Sequence, residues 1–533
     1  MEKTPQRTTN GIAGPQKETV ARTGKNRRAR QAGDKNKLVL LEPKAPGQHV
    51  YSKLKLPRLG AVLLGTIARQ LGWDVRVYVE EIADIDYRDV LTADLVGIST
   101  ITSTASRAYA IADALRDFGV PVVMGGPHVT FLPDEALAHC DYVVRGEGEE
   151  ALPALMNALF GDGDVARVPN LSYRDAAGEV RHNEQTSSVE DLDTLPYPDY
   201  ELIVGWQKAM SFSLRPVVPI QATRGCPFGC RFCSVIGMFG RKVRTRSVDN
   251  VIGELRRHRE RNAHIFFYDD NFTARRTWAK ELIRRAMIDE ELCPHWSAQV
   301  RTDATHDDEL LALMQQGKCS HVYVGFETVN PAALADMAKQ QSVQSMIDAV
   351  DRFKQHRIGV HGMFIFGFDT DNKESFRATT RFAMRSGIDS AQFLILTLLP
   401  GTPVYEEMAA AGRITVHDWA HYDGHHVCYK PAQISAWQLQ WAQVRSHTMF
   451  YSRLRMMKQV VNGYLGNSAI YLYARKLNHE WIRNNKTYLK ALKLAAQAKN
   501  TIIRFDFEID FSEIKQKVWA AAGSLALPMP SPA

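Results

Sequence analysis

Short apolar segments alternate with helical segments along most of this 533-residue chain. Between residues 38 and 162, five apolar segments have the composition of buried strands, with helical stretches between several of them. These segments are Leu38–Glu42, Asp74–Tyr78, Asp94–Ser99, Pro121–Gly126 and Tyr142–Gly146. Because parallel strands need crossover helices, the alternation predicts an α/β fold that begins with a doubly wound parallel sheet, a Rossmann-type domain over 38–162.

The alternation stops and then resumes. Residues 163–215 contain a predicted hairpin and a proline-rich linker, so a domain boundary is expected near residue 200. Six strand-like segments follow: Pro219–Thr223, Ile265–Tyr268, Trp296–Val300, His321–Phe326, His361–Phe366 and Gln392–Leu396. They predict a partial (β/α)6 barrel over 216–430, with its chemistry at the carboxyl-end rim. Residues 431–533 are predicted to be helical, and we expect these helices to close the mouth of the barrel.

Charge and cysteine usage exclude several classes of protein. The chain has 66 Lys and Arg against 59 Asp and Glu, and residues 1–37 carry the whole positive excess. We expect 1–37 to be a disordered basic tail, and we expect no nucleic-acid partner because no helix-turn-helix or zinc-finger pattern accompanies it. No apolar run reaches about 18 residues, so no integral membrane segment is expected. Seven unevenly spaced cysteines and a start without a signal-like apolar segment predict a reducing, cytoplasmic location.

Glycine-rich and polar loops follow three of the predicted strands in the first domain. Ligands of open parallel sheets bind beyond the carboxyl ends of the strands, and paired glycines let the backbone approach a ligand closely. A tight turn explains each loop equally well on its own, but three such loops in succession favour a ligand site. Its candidate residues are Ser99, Thr100, Gly125, Gly126, His128, Gly146 and Glu147.

Three cysteines stand within eight residues, just after the first predicted strand of the barrel. Cys226, Cys230 and Cys233 lie in the segment RGCPFGCRFCS, with the spacing C-x₃-C-x₂-C. A structural zinc ion takes four ligands, and the next cysteine along the chain is Cys293. Three thiolates suit a [4Fe–4S] cluster with one iron open to a small ligand. The spacing favours the cluster and leaves zinc as the alternative.

This loop resembles the signature of radical S-adenosylmethionine (radical SAM) enzymes, in which SAM chelates the open iron of the cluster. Phe232, directly before the third cysteine, matches an aromatic position that packs near the adenine of SAM in that family. The order of elements over about residues 38–430 is similar to the subgroup with an N-terminal cobalamin-binding-type domain. That subgroup includes anaerobic magnesium-protoporphyrin ester cyclases, hopanoid methylases and radical C-methyltransferases. The resemblance implies a [4Fe–4S] cluster, SAM and cobalamin as cofactors.

The resemblance also implies SAM-binding residues at the ends of the barrel strands. Asp269 or Asp270 would accept a hydrogen bond from the SAM ammonium and Asn271 would fix the loop, although an Asx-type turn explains the same residues. Arg301 would hold the SAM carboxylate in a charge-assisted pair. Glu327 would bind ribose hydroxyls or neighbouring polar groups. The loop residues of the first domain would then contact cobalamin, and no catalytic residue is assigned.

Two radical SAM functions remain open at this point. In the first, the enzyme reductively cleaves SAM and, with cobalamin, methylates or oxidatively cyclises a small-molecule substrate in a biosynthetic pathway. In the second, it works without cobalamin and transfers a 3-amino-3-carboxypropyl group or drives a rearrangement. The second stays open because the Asp-x-His-x-x-Gly motif, which supplies a cobalamin-binding histidine in many domains, is replaced by EPKAPG after the first strand. Either function needs a low-potential electron donor of the flavodoxin or ferredoxin type.

Two other functions fit the residues less well. Methylthiotransferases of tRNA share the cysteine loop, but their N-terminal domain carries three further cluster cysteines, and only Cys140 precedes residue 226 here. A non-catalytic cobalamin or iron–sulfur sensor would leave the SAM site unexplained. Outside these motifs, His425, His426 and Cys428 could bind a metal or reach the substrate, with an ordinary loop as the alternative.

Overall fold

The computed structural model describes residues 35–47, 56–185, 188–211, 216–259, 263–461, 465–497, 504–505 and 507–530. The strands of its first sheet are Lys37–Glu42 (β1), Asp74–Val79 (β2), Leu95–Ser99 (β3), Val122–Gly125 (β4), Tyr142–Val144 (β5), Leu171–Arg174 (β6) and Val180–His182 (β7). Their order across the sheet is 2-1-3-4-5-6-7. The first five are parallel, and the predicted hairpin supplies the antiparallel strands β6 and β7. The predicted doubly wound sheet is confirmed.

Helices cover both faces of this sheet, which is why its strands are almost continuously apolar. They are Leu59–Gln70 (α1), Tyr87–Val90 (α2), Ala105–Arg116 (α3), Pro127–Phe131 (α4), Pro133–Ala136 (α5) and Ala151–Phe160 (α6), followed in the linker by Trp206–Ser211 (α7). Alternate residues of β1 enter two separate cores, Leu38 and Leu40 with α1, and Val39 and Leu41 with α3. The strand order reverses between β1 and β3, so the ligand crevice of such a sheet is expected at their carboxyl ends.

The second sheet is the predicted partial barrel. Its strands are Val217–Ile220 (β8), His264–Phe267 (β11), Trp296–Val300 (β12), Cys319–Glu327 (β13), Gly359–Phe366 (β14) and Ser390–Ile395 (β15), and a separate pair is formed by Thr223–Arg224 (β9) and Arg244–Thr245 (β10). The six barrel strands are parallel and in chain order, so β8 and β15 are open edges. Along β14, half-buried residues alternate with fully buried ones, because one face lines the interior and the other packs on helices.

Eight helices accompany these strands: Val235–Phe239 (α8), Val248–His258 (α9), Arg276–Leu282 (α10), Asp308–Gln316 (α11), Pro331–Asp336 (α12), Val343–Gln355 (α13), Lys373–Arg385 (α14) and Pro403–Ala410 (α15). Five more follow the barrel, as predicted: Ala436–Phe450 (α16), Arg453–Val461 (α17), Leu465–Asn484 (α18), Lys486–Ala495 (α19) and Ser512–Ser524 (α20). Their expected place over the barrel mouth needs correction. Helix α16 packs against α14 and β15, and α20 packs against α2 and α3 of the first domain.

The position of α16 follows from the open edge of the barrel. An edge strand exposes backbone groups that need partners. The Tyr451 hydroxyl lies 2.9 Å from the amide nitrogen and 2.6 Å from the carbonyl oxygen of Ala391. The Gln443 amide donates to the Phe393 carbonyl at 3.0 Å, and His447 Nε2 lies at the same distance from that oxygen. Side chains of the C-terminal region thus complete the hydrogen bonding of β15.

Some expectations cannot be compared with the structure. Residues 1–34 of the predicted basic tail lie outside the described part of the chain. The domain limits 1–37, 38–162, 163–215, 216–430 and 431–533 stay predictions. No helix within the described ranges is long and apolar enough to cross a membrane.

Candidate cofactor site

A cleft of about 460 Å³ lies where the carboxyl end of the first sheet meets the beginning of the barrel. One wall comes from the ends of β1, β3, β4 and β5 together with α1, and the other comes from α8 and the ends of β11 and β12. Apolar side chains such as Leu59, Ile98, Met238 and Phe239 make up much of both walls. The doubly wound sheet and the cysteine loop therefore face the same space.

The cysteine loop is closed at its base by the short β9–β10 pair. Residues 223–224 and 244–245 form an antiparallel ladder, and the loop runs between them with α8 in its second half. Gly225 has a φ of +89°, and a Cβ there would lie 2.5 Å from the carbonyl oxygen of Lys242. Only glycine fits this turn, so the residue before the first cysteine is fixed by the loop closure.

The three cysteines lie in one electrostatic environment. Cys226, Cys230 and Cys233 are half-buried free thiols. Burial raises the pKa of Cys226, and it raises the pKa of Cys233 to about 12; both thiols also feel the charge of Asp270 and of Cys230. Among the residues that the structure describes, no three His, Cys, Asp or Glu side chains converge on one metal ion. The cluster assignment therefore rests on the cysteine spacing and on the family.

The two adjacent aspartates after β11 have different surroundings. Asp269 is fully buried, and its Oδ1 accepts hydrogen bonds from the backbone N–H groups of Ala222 (3.0 Å) and Thr223. Burial raises its pKa to about 7. Asp270 is exposed and lines the cleft, and desolvation by the protein around it raises its pKa to about 6. Asp269 thus anchors the strand that leads into the cysteine loop, whereas Asp270 is the carboxylate that faces the cleft.

The other predicted SAM residues of β11 and β12 lie near the cysteine loop. The Arg301 guanidinium lies 3.6 Å from the ring centre of Phe228, between the first two cysteines. Its Nε is buried without a hydrogen-bond partner, although Asp303 lies 3.5 Å away. Asn271 is buried and its Oδ1 accepts from the Thr273 hydroxyl at 3.3 Å, the local turn that the sequence allowed.

Phe232 and Glu327 do not line the cleft. Phe232 packs edge to face with Phe368, at 6.1 Å between ring centres, just beyond the end of β14. Glu327 is buried in an ion pair with Lys339, whose ammonium also donates to the Gly325 carbonyl at 2.6 Å. Of the two predicted roles of Glu327, the structure shows a contact with a neighbouring polar group, Lys339, and the ribose contact stays a prediction.

Four of the predicted cobalamin residues share the opposite wall. Ser99, Gly125, Gly126 and Gly146 line the cleft. Gly126 has a φ of +102°, and a Cβ there would lie 2.3 Å from the carbonyl oxygen of Thr100. Thr100 itself is buried, and its hydroxyl donates to the carbonyl of Gly125 at 3.0 Å. The threonine therefore holds the glycine loop in place without reaching the cleft.

His128 points away from the cleft. Its ring is buried, 3.1 Å from the Tyr109 hydroxyl and 3.6 Å from the Glu135 carboxylate, and packs edge to face on Trp419. These contacts explain its place as a core residue, so the predicted contact with cobalamin needs correction. No histidine lines the cleft among the residues for which the structure gives positions.

Glu147 lines the cleft but is already bound to arginines. Its carboxylate accepts from Arg244 at 2.5 and 3.0 Å and from the amide of Val189 at 2.7 Å, and Arg224 lies 3.4 Å away. Arg224 also donates to Glu149 at 2.6 Å. All four charged side chains are buried. Because the two arginines stand at the two ends of the cysteine loop, this network joins that loop to the loop after β5.

Sequence patterns did not reveal Arg244, Met238 or Phe239 as part of this site. Arg224 stands two residues before the first cysteine, and this position in the sequence was the only indication that it belongs to the site. The segment with His425, His426 and Cys428 makes contacts within the protein. His426 lies 2.9 Å from Asp423 and 2.9 Å from Asn485, and Cys428 is buried. The ordinary-loop interpretation of that segment is the one that fits.

Two family models match the chain. Residues 220–383 match the Radical SAM superfamily, and residues 50–156 match the B12 binding domain. Bacteriochlorophyllide d C-12(1)-methyltransferase of Chlorobaculum tepidum is 30% identical over 459 residues, which cover 85% of this chain and 93% of that relative. The chain belongs to the radical SAM superfamily. It is a radical SAM enzyme that also carries a B12 binding domain, and the resemblance drawn from the cysteine loop is confirmed.

Other comparisons agree with this assignment. An anaerobic magnesium-protoporphyrin IX monomethyl ester cyclase of Cereibacter sphaeroides is 28% identical, over 62% of this chain and 55% of that relative. The solved structure of the cobalamin-dependent S-adenosylmethionine radical enzyme OxsB with aqua-cobalamin bound has a TM-score of 0.61 at 13% identity, covering 93% of this chain and 85% of that one. This likeness confirms the fold: a parallel sheet, a partial barrel and added helices.

Proposed function

We propose that this radical SAM enzyme uses cobalamin to methylate a carbon atom of a small molecule. The observation that carries the proposal is the single cleft shared by the B12 binding domain and the cysteine loop. A methyl carrier on one wall and a SAM site on the other would both reach a substrate held between them. The methyltransferase relative with 93% of its length covered supports the same reaction class.

The cleft and the cysteine loop beside it fit both cofactors; Ser234 and α8 of that loop line the cleft, and its three cysteines do not. Cys226, Cys230 and Cys233 would hold the cluster as thiolates. Burial raises the pKa of Cys226 and Cys233, so both thiols would lose their protons when the cluster binds. Gly125 and Gly126 line the cleft without side chains, so a large tetrapyrrole could approach the backbone closely there. When bound, the cluster supplies the electron for SAM cleavage and cobalamin supplies a methyl carrier.

The chain itself would bind SAM and keep water out. Asp270, an exposed carboxylate at the cleft wall, suits the SAM ammonium, and the buried Nε of Arg301 suits the SAM carboxylate. Phe232 and Asn271 would support this pocket from behind, in the adenine and loop positions that the family implies. The apolar walls around Ile98 and Phe239 would exclude water from the reacting groups.

We expect Asp270→Asn to weaken SAM binding by about 10- to 100-fold, because a hydrogen bond to a charged group contributes about 1.5–3 kcal/mol. Equilibrium dialysis of radiolabelled SAM against the anaerobically reconstituted enzyme measures this. Asp249→Asn is the matched control, since Asp249 is exposed on α9 and pairs with Arg285. An unchanged SAM dissociation constant for the Asp270 variant would remove it from the site.

Anaerobic reconstitution with iron, sulfide and hydroxocobalamin, followed by SAM and dithionite, tests the function. We expect cobalamin to stay bound after desalting, and mass spectrometry to detect 5′-deoxyadenosine. With a methyl acceptor, S-adenosylhomocysteine should also accumulate, because one SAM then serves as the methyl donor. Methylthioadenosine without bound cobalamin would contradict the proposal and indicate aminocarboxypropyl transfer.

Oxidative cyclisation is the second candidate, because one relative is a cyclase. It would give 5′-deoxyadenosine and bound cobalamin without S-adenosylhomocysteine, so the same experiment separates the two. In either case we propose a flavodoxin- or ferredoxin-type protein as electron donor and the cytoplasm as the location. All seven cysteines are free thiols, which supports a reducing compartment.

A further inference from the structure

An exposed apolar stripe runs along α17, none of whose residues lines the cleft. Leu454, Met457 and Val461 are 69%, 53% and 85% exposed. Their spacing of three and four residues places them on one face of the helix. On α18, which packs against α17, Ile470 and Leu472 are also exposed. Large apolar side chains in such a group mark an interaction surface more often than isolated ones do.

The same helices are strongly basic. Residues 436–497 contain one acidic residue, Glu480, and ten basic ones: Arg445, Arg453, Arg455, Lys458, Arg475, Lys476, Arg483, Lys486, Lys490 and Lys493. Among the described side chains, exposed cations occur on three successive helices, as Arg453 on α17, Lys476 on α18 and Lys490 on α19. An excess of nine positive charges over 62 residues is unlike the rest of the folded chain, which is nearly neutral or acidic.

We propose that the exposed face of α17, defined by Leu454, Met457 and Val461, docks onto an anionic lipid bilayer. A helix with apolar side chains on one face and many cations nearby binds at the interface between headgroups and acyl chains, without crossing the bilayer. Each cation near an anionic leaflet adds attraction that salt screens. The helices of the described chain are too polar to cross a membrane, so the docking would be peripheral.

Charge also argues against a second copy of this chain as the occupant. A symmetric dimer through this face would place the same basic helices against each other. Like charges brought together oppose association unless counter-ions are buried with them. An anionic lipid surface instead complements the charge and accepts the apolar stripe. This inference stands apart from the proposed reaction, because none of the residues of this face lines the cleft.

Vesicle sedimentation of the full-length protein tests the proposal. We expect binding to vesicles that contain phosphatidylglycerol, weak binding to pure phosphatidylcholine vesicles, and a decrease when NaCl is raised. The triple variant Leu454→Ser, Met457→Ser, Val461→Ser should need about tenfold more phosphatidylglycerol vesicles for half-binding, since three apolar side chains no longer enter the interface. The substituted side chains are exposed, so the variant should fold normally, which circular dichroism checks.

Leu71→Ser is the matched control, because Leu71 is a 57% exposed leucine at the end of α1 in the first domain. It should bind vesicles like the wild type. Unchanged binding of the triple variant would assign the lipid affinity to the basic N-terminal segment and overturn the proposal. A concentration-dependent dimer that the triple variant abolishes, together with no vesicle binding, would assign the surface to self-association and overturn it as well.

Discussion

Replacing Cys226, Cys230 or Cys233 with alanine is expected to abolish reductive cleavage of SAM. Three thiolates hold a [4Fe–4S] cluster that keeps one iron open, and two cannot hold it in that form. Each single variant should therefore lose the iron and sulfide of the reconstituted enzyme and produce no 5′-deoxyadenosine with SAM and dithionite. Iron analysis, the visible absorbance of the cluster and mass spectrometry of the SAM fragments measure the three effects.

Cys140→Ala is the control for this series. Cys140 is buried in the first domain, where its thiol lies 3.1 Å from the Ala136 carbonyl, and burial raises its pKa far above that of a free thiol. The variant should keep its cluster and its SAM cleavage. If all four variants lost activity to the same degree, the losses would reflect general damage, and the three-cysteine site would be the wrong assignment.

The strands of both sheets were predictable because each has a local signature. The run from Leu38 to Leu41 is continuously apolar because helices cover both faces of the sheet, and the burial of β14 alternates because one face packs on helices and the other lines the barrel interior. The hairpin after residue 170 was also predicted, but its attachment to β5 was not, since strand pairing depends on partners distant in sequence. The same holds for α16, whose place is set by the open edge of β15.

Side-chain roles were less predictable than strand positions. The carboxyl ends of strands correctly located the cleft, where Asp270 and the glycines meet. Residue type alone did not show that Glu327 pairs with Lys339, or that His128 is buried under Tyr109. Buried ion pairs join residues that the fold brings together, and the sequence around one residue does not indicate which residue will pair with it. Glu147, for example, pairs with a residue 97 positions away.

Glu147→Ala is expected to destabilise the enzyme by about 3–5 kcal/mol, because removing one partner of a buried ion pair leaves the other charge uncompensated. Here two guanidinium groups, Arg244 and Arg224, would lose a buried carboxylate. The loop after β5 would also lose its link to the cysteine loop, so cobalamin retention should fall along with stability. Denaturant unfolding and cobalamin absorbance after desalting, both on the reconstituted enzyme, measure the two effects.

Glu190→Ala separates this network from surface charge in the same region. Glu190 pairs with Lys242, which also belongs to the cysteine loop, but both side chains are solvent-exposed. Exposed pairs contribute little because water and salt screen them, so this variant should unfold at the wild-type denaturant concentration and retain cobalamin. Equal behaviour of the two variants would mean that the buried carboxylate does not hold the cysteine loop against the B12 binding domain. If the Glu147 variant were destabilised but retained cobalamin fully, the ion pairs of Glu147 with Arg244 and Arg224 would contribute to folding stability only. They would then not position the two walls of the cleft.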